Sequence, residues 1–150
     1  MLKNPSLTTR IGVGKLAGLM IGLLGVGVIT GLGVDLALRI QVGMVLWYAT
    51  LGALVGVFGT YDQHPVVKMA LPWWLVAVIV GAWMNFVLVL IAFDELSAIM
   101  ALMFGTGGAL QSPYWFVAEG GVVGWLIGWA AARLGGYGPT TVTSAITPSA

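Results

Sequence analysis

The sequence predicts an all-α polytopic integral membrane protein with four transmembrane helices. Three observations carry this reading. Hydrophobic residues make up 59% of the 150 positions and charged residues 7%, against about 25% charge in soluble domains. Mean hydropathy is +1.02, and so few charges leave too little polar surface to keep a chain in water. The apolar residues also gather in four continuous runs of about 20 residues, each long enough as a helix to cross the roughly 30 Å hydrocarbon core. The runs do not alternate in polarity, which favours helices over the strands of a barrel.

Residues 1–10 form a short N-terminal segment carrying Lys3 and Arg10. The first span runs from about Ile11 to Leu32. It is long for a signal peptide and no A-x-A cleavage site follows, so an uncleaved helix is expected. The second span runs from about Ile40 to Thr60. After it comes the loop YDQHPVVK, residues 61–68, with the only histidine, His64. The third span, about Pro72 to Phe93, opens on Pro-Trp-Trp, a proline near the first turn and two indoles suited to headgroup depth.

The connection DELSAIMALMFGTGGALQSP, residues 94–113, is unusual. Leu96 to Phe104 is apolar but too short to span, and Gly105-Thr106-Gly107-Gly108 ends any helix. Residues 95–108 therefore read as a short helix that is either interfacial or re-entrant, and a re-entrant one must lie against protein or water. The fourth span runs from about Tyr114 to Arg133, which closes a four-helix transmembrane domain over residues 11–134. The tail, residues 135–150, is rich in Gly, Pro, Ser and Thr and is expected to be flexible.

Cation placement sets orientation. With four spans, Lys3, Arg10, Lys15, Lys68 and Arg133 fall on one side, and Arg39 with Asp35, Asp94 and Glu95 on the other. The positive-inside bias places both termini in the cytoplasm, with a bacterial inner membrane as the expected location.

The 23 glycines are patterned. Gly14, Gly18 and Gly22 in the first span, Gly52 and Gly56 in the second, and Gly120, Gly124 and Gly128 in the fourth recur every four residues. Each row makes a smooth groove on one helix face, where another backbone can approach closely. Such rows are first of all packing devices. Their number also suggests a homo-oligomer or docking on other membrane subunits.

Three polar side chains fall within the spans. By a 1.5 Å rise per residue, Glu119 lies roughly 7 Å below the outer boundary and Asn85 roughly 12 Å, with Tyr48 at a similar depth. Facing lipid would cost each roughly 2–3.5 kcal/mol near the bilayer centre. They are expected to turn inward, with Asn85 bonded to Glu119 and Tyr48 nearby. Such a group serves either as a polar step in a solute path or as a bond that fixes packing.

Other chemistry finds few candidates. GVGKLAG, residues 12–18, lacks the strand and the Lys-Ser/Thr pair of a phosphate loop. His64 beside Asp62 reads as a turn residue before Pro65 rather than a metal ligand. There are no cysteines, which removes thiolate catalysis and thiolate metal sites. A net charge of +1 gives no reason to expect nucleic acid. The reading is a non-enzyme with no cofactor and no metal, and the lipid bilayer as its first partner. Its expected role is a small oligomeric channel or transporter-like pathway for an ion or small solute, passive or proton-linked, lined by Glu119, Asn85 and Tyr48. The alternative is a non-catalytic accessory or assembly subunit that docks on a larger membrane complex through its glycine-rich faces.

Overall fold

The computed structural model describes residues 6–61, 63, 68–138 and 140–143. Lys3, Asp62 and His64 lie outside them. The described chain is helical: α1 Leu7–Gly31, α2 Leu38–Phe58, α3 Trp73–Ile91, α4 Phe93–Phe104 and α5 Trp115–Gly135, with a 3₁₀ turn at Ala109–Gln111 and a last helical turn, α6, at Thr140–Thr143. Among the described residues no strand forms, only one isolated bridge between Gln63 and Ala70. The four long helices α1, α2, α3 and α5 are apolar and long enough to cross a membrane, so the chain is a multi-pass membrane protein. They coincide with the four expected spans.

The helix ends follow local chemistry. Ser6, in extended conformation, caps α1 by accepting from Thr9 N at 3.5 Å. After α1, Gly33 takes a left-handed φ of 83°, which turns the chain back for α2. Pro72 precedes the first residue of α3, where a missing N–H costs nothing. At Ala92 (φ −123°, ψ 38°) α3 breaks and α4 starts at once. Gly105, with φ 77°, ends α4.

The long helices alternate in direction. The near end of the bundle holds the start of α1, the end of α2, the start of α3 and the end of α5; the far end holds the opposite termini. Two antiparallel pairs dominate, α1 with α2 and α3 with α5. In the first pair, a methyl group on Gly14 or Gly18 would strike the α2 backbone at Gly52 and Tyr48, and one on Gly22 would lie 2.8 Å from Val45 Cα. In the second, Gly81 faces Gly120 and Gly124, and Gly124 faces Ala77. Lipid tails are as apolar as leucine, so these helices gain little from leaving lipid; close backbone contact supplies dispersion and weak Cα–H···O bonds instead. Gly52, Gly56 and Gly128 are likewise occupied by neighbouring helices of the same chain. The rows are thus consumed within one subunit, and they leave nothing over to argue for a second copy.

Between the pairs sits a core of Leu51, Val55, Ala77, Val123 and Ile127, with Tyr48 at its far edge. A second cluster lies at the far end, where α4 packs Ile99 against Ile29, Val34 and Leu36 around the α1–α2 connection. Asp94 and Glu95, in the first turn of α4, stay exposed, where carboxylates complement a helix N-terminus.

The near end carries two sets of contacts that composition does not reveal. Arg10, read from sequence as one of several inner cations, is 1% exposed. Its Nε donates to Gly56 O at 2.8 Å, and its Nη1 donates to Gly136 O. Those carbonyls belong to the last turn of α2 and the C-cap of α5, both at the negative ends of helix dipoles. One guanidinium thus ties three helix ends together. The start of the tail is also held: Gly138 N donates to Gly59 O at 3.4 Å, and buried Thr141 donates to Gly138 O at 2.7 Å. Through Arg10 and Gly59 these bonds reach Gly136 and Gly138, inside the tail read from composition as flexible; residues 139 and 144–150 lie outside the described ones.

Candidate functional site

Tyr48 stands ten residues from either end of α2, so its Cα is about 15 Å from each. Glu119 lies four residues into α5, and Asn85 six residues before the end of α3, roughly 6 and 9 Å from the far end by the same rise. The long tyrosine side chain closes the difference. Helix side chains tilt toward the helix N-terminus, which for α2 is the far end, so the phenol reaches up to the other two groups.

They meet around the carboxylate. Tyr48 OH donates to Glu119 Oε1 at 3.0 Å and Oε2 at 2.8 Å. Asn85 Nδ2 donates to Glu119 Oε2 at 2.8 Å and to Phe116 O at 2.9 Å. Trp47 Nε1 completes the set by donating to Asn85 Oδ1 at 3.1 Å. Asn85 is fully buried and Tyr48 nearly so, while Glu119 is half-buried. Among the described residues no buried side-chain nitrogen or oxygen lacks a partner, as the low dielectric of a bundle requires.

The structure therefore brings together all three polar residues singled out from the sequence. Trp47 was missed. The available signal was its place next to Tyr48: neighbouring helix positions diverge by about 100°, so α2 presents two ring donors that bracket Asn85, and an indole N–H seeks a partner when buried. Gly120, read as a packing residue, has a second role, because it leaves the space that Asn85 fills.

Among the described residues no lysine or arginine bonds to Glu119; its partners there are the neutral Tyr48 and Asn85. Arg39 stands at a neighbouring cavity with Glu95, and Arg10 is held at the near end. Arg133 lies over the Trp129 ring at 4.9 Å, a cation–π contact. Among the described residues no group of three or more His, Asp or Glu side chains is placed to hold a metal ion.

Two cavities flank the cluster. One, of about 450 Å³, lies between α1, α4 and α5 and reaches Glu119 and Tyr48. The other, of about 490 Å³, lies between α2, α3 and α4, with Trp47 and Tyr48 inside and Arg39 and Glu95 in its lining. Tyr48, Met44 and Phe116 line both and so separate them. Toward the near end the interior closes: Leu51, Val55 and Ile127 are at most 1% exposed. The site is a polar floor beneath two clefts of the far half, with a dry plug below it.

No family model matches the chain, and neither the curated proteins nor the solved structures compared with it give a match. The fold defines a class, a multi-pass helical membrane protein, and in it a carboxylate is hydrogen-bonded between three apolar helices.

Proposed function

We propose that this chain is a non-enzymatic, channel- or transporter-like membrane protein that moves an ion or small solute, with Glu119, Asn85, Tyr48 and Trp47 as its polar step. One observation carries the reading: among the described residues Glu119, within a spanning helix, has no cationic partner, and it stands in the wall of a cavity. An ionisable group at depth is costly, and bundles that keep one generally use it on a substrate or proton path. The dry plug at Leu51, Val55 and Ile127 means that passage requires the far-half cavities and the near end to open in turn. Conduction through a fixed single-chain pore does not fit that plug.

On this reading both termini face the cytoplasm of a bacterial inner membrane. Lys15, Lys68 and Arg133 supply the positive side, and Arg10, being internal, adds nothing to it. The functional unit is a homo-oligomer. Support comes from a groove of about 700 Å³ along the outer face of α3 and α5, whose lining includes Ala82, Ala118 and Gly121, small residues of the kind found where membrane helices meet.

The test is flux in proteoliposomes. Wild-type protein passes protons or a monovalent cation faster than empty vesicles, and Glu119→Gln slows this at least tenfold at equal reconstitution. Equal rates in the two proteins overturn the reading.

The plug favours a second reading, a non-catalytic accessory subunit of a larger membrane complex. Here the polar cluster only fixes helix packing. Absence of flux, together with co-purification of a stoichiometric membrane partner whose loss follows substitutions in the α3–α5 groove, selects it.

A further inference from the structure

We infer that the cleft beside Glu119 binds a lipophilic cation, an apolar body with one positive head. As the substrate class of the transport step the inference rests on the function proposed above; as a binding site it rests on the cleft alone.

The cleft has about 450 Å³, within the roughly 300–1,000 Å³ usual for small-molecule sites. Its lining is apolar or aromatic, with Glu119 as the one ionisable carboxylate. The floor is buried Tyr48 and Met100; at the rim, Leu24 and Val28 of α1 are 64% and 57% exposed. Those rim residues belong to the lipid-facing surface of a spanning helix, so entry is sideways from the bilayer.

The chemistry of the walls selects the occupant. An acyl chain suits the walls but leaves the carboxylate without a counter-charge. An anion is repelled by it. A small hydrated cation gives up water and receives too few oxygens in return, since hard cations need about six or more oxygen ligands. A weakly hydrated cation with apolar substituents satisfies both parts. Trp115, Phe116 and Phe104 place aromatic rings, which attract cations, in the lining, and the thioethers of Met44, Met100 and Met103 adapt to the occupant's shape. Among the described residues Glu119 accepts only from neutral donors, so none of them supplies a counter-charge.

Gly25 gives a way to close the cleft without touching Glu119. A methyl group there meets only the terminal methyl of Met44, at 3.8 Å, so Gly25→Leu fills the cavity and leaves the backbone in place.

The experiment measures equilibrium binding of radiolabelled tetraphenylphosphonium to the full chain in nanodiscs of zwitterionic lipid. Saturable binding is expected, weakened at least tenfold by Glu119→Gln and by Gly25→Leu, and unchanged by Asp94→Asn at the exposed start of α4. No saturable binding, or equal binding by wild type and both variants, overturns the inference. Should Glu119→Gln fail to fold by circular dichroism and size exclusion, Gly25→Leu decides. Flux of protons and of a quaternary ammonium too polar to cross empty vesicles, measured in proteoliposomes, separates the two proposals. Binding without flux upholds the cleft and removes the transport role; Glu119-dependent flux without binding removes the cleft and leaves transport.

Discussion

Asn85 occupies the space where a side chain on Gly120 would stand. A methyl group on Gly120 would lie 2.6 Å from Asn85 Cβ and 2.7 Å from Asn85 Cγ, closer than packed atoms tolerate. The glycine that lets α3 and α5 approach is therefore also the residue that lets a carboxamide reach Glu119. Packing and polar chemistry share one position.

Gly120→Ala is expected to cost about 1–3 kcal/mol, the range for overpacking a filled interior, and to lower the thermal midpoint in detergent. Gly12→Ala is the control. Gly12 lies in α1 with open space around it, where alanine favours the helix by up to about 1 kcal/mol. Equal midpoints for the two variants contradict the shared role of Gly120.

Asn85→Leu removes a donor from Glu119 and the acceptor of Trp47 Nε1. Interhelical hydrogen bonds in membranes average about 0.6 kcal/mol and reach about 1.7, so a loss of roughly 1–2 kcal/mol is expected for a residue that makes three. Trp47→Phe in the Asn85→Leu background should add little, since its partner is already gone. A double-mutant cycle by steric-trap or denaturant unfolding measures this; additive losses mean the Trp47–Asn85 bond carries no energy.

The legibility of this site has a physical limit. The four spans follow from run length alone, because a bilayer fixes how many apolar residues a helix needs. That Tyr48, Asn85 and Glu119 turn inward follows from the cost of facing lipid. The details that escaped are long-range. Trp47 resembles any interfacial aromatic until Asn85 is known to stand beside it. Arg10 resembles an inner-side cation until the ends of α2 and α5 are seen to converge on it, 46 and 126 residues away. Composition cannot show that Arg10 and Gly59 stand beside the start of the tail.

Arg10→Ala leaves Gly56 O and Gly136 O without their charged donor. Hydrogen bonds to charged groups are worth about 1.5–3 kcal/mol, so the variant should lose on the order of 3 kcal/mol and free the start of the tail. Limited proteolysis reads this directly: cleavage near Tyr137 should accelerate in Arg10→Ala and only slightly in Lys15→Ala, whose side chain is exposed. Equal protection in both would show that the tail is held by something other than the guanidinium.

Sidedness decides whether Asn85 and Glu119 lie at depth in the bilayer. Lys68 precedes α3 and Asp94 follows it, so one spanning helix separates them and they must face opposite compartments. The native chain has no cysteine, which makes Lys68→Cys and Asp94→Cys single reporters. Both positions are exposed, so neither substitution disturbs the interior. In right-side-out vesicles a membrane-impermeant maleimide should label Asp94→Cys at once and Lys68→Cys only after permeabilisation. The reverse pattern would keep the fold and invert the orientation, placing Lys15 and Arg133 outside against the usual charge bias. Simultaneous labelling of both before permeabilisation is the damaging outcome. It would mean that α3 does not cross the bilayer, and that Asn85 and its bond to Glu119 do not lie at depth.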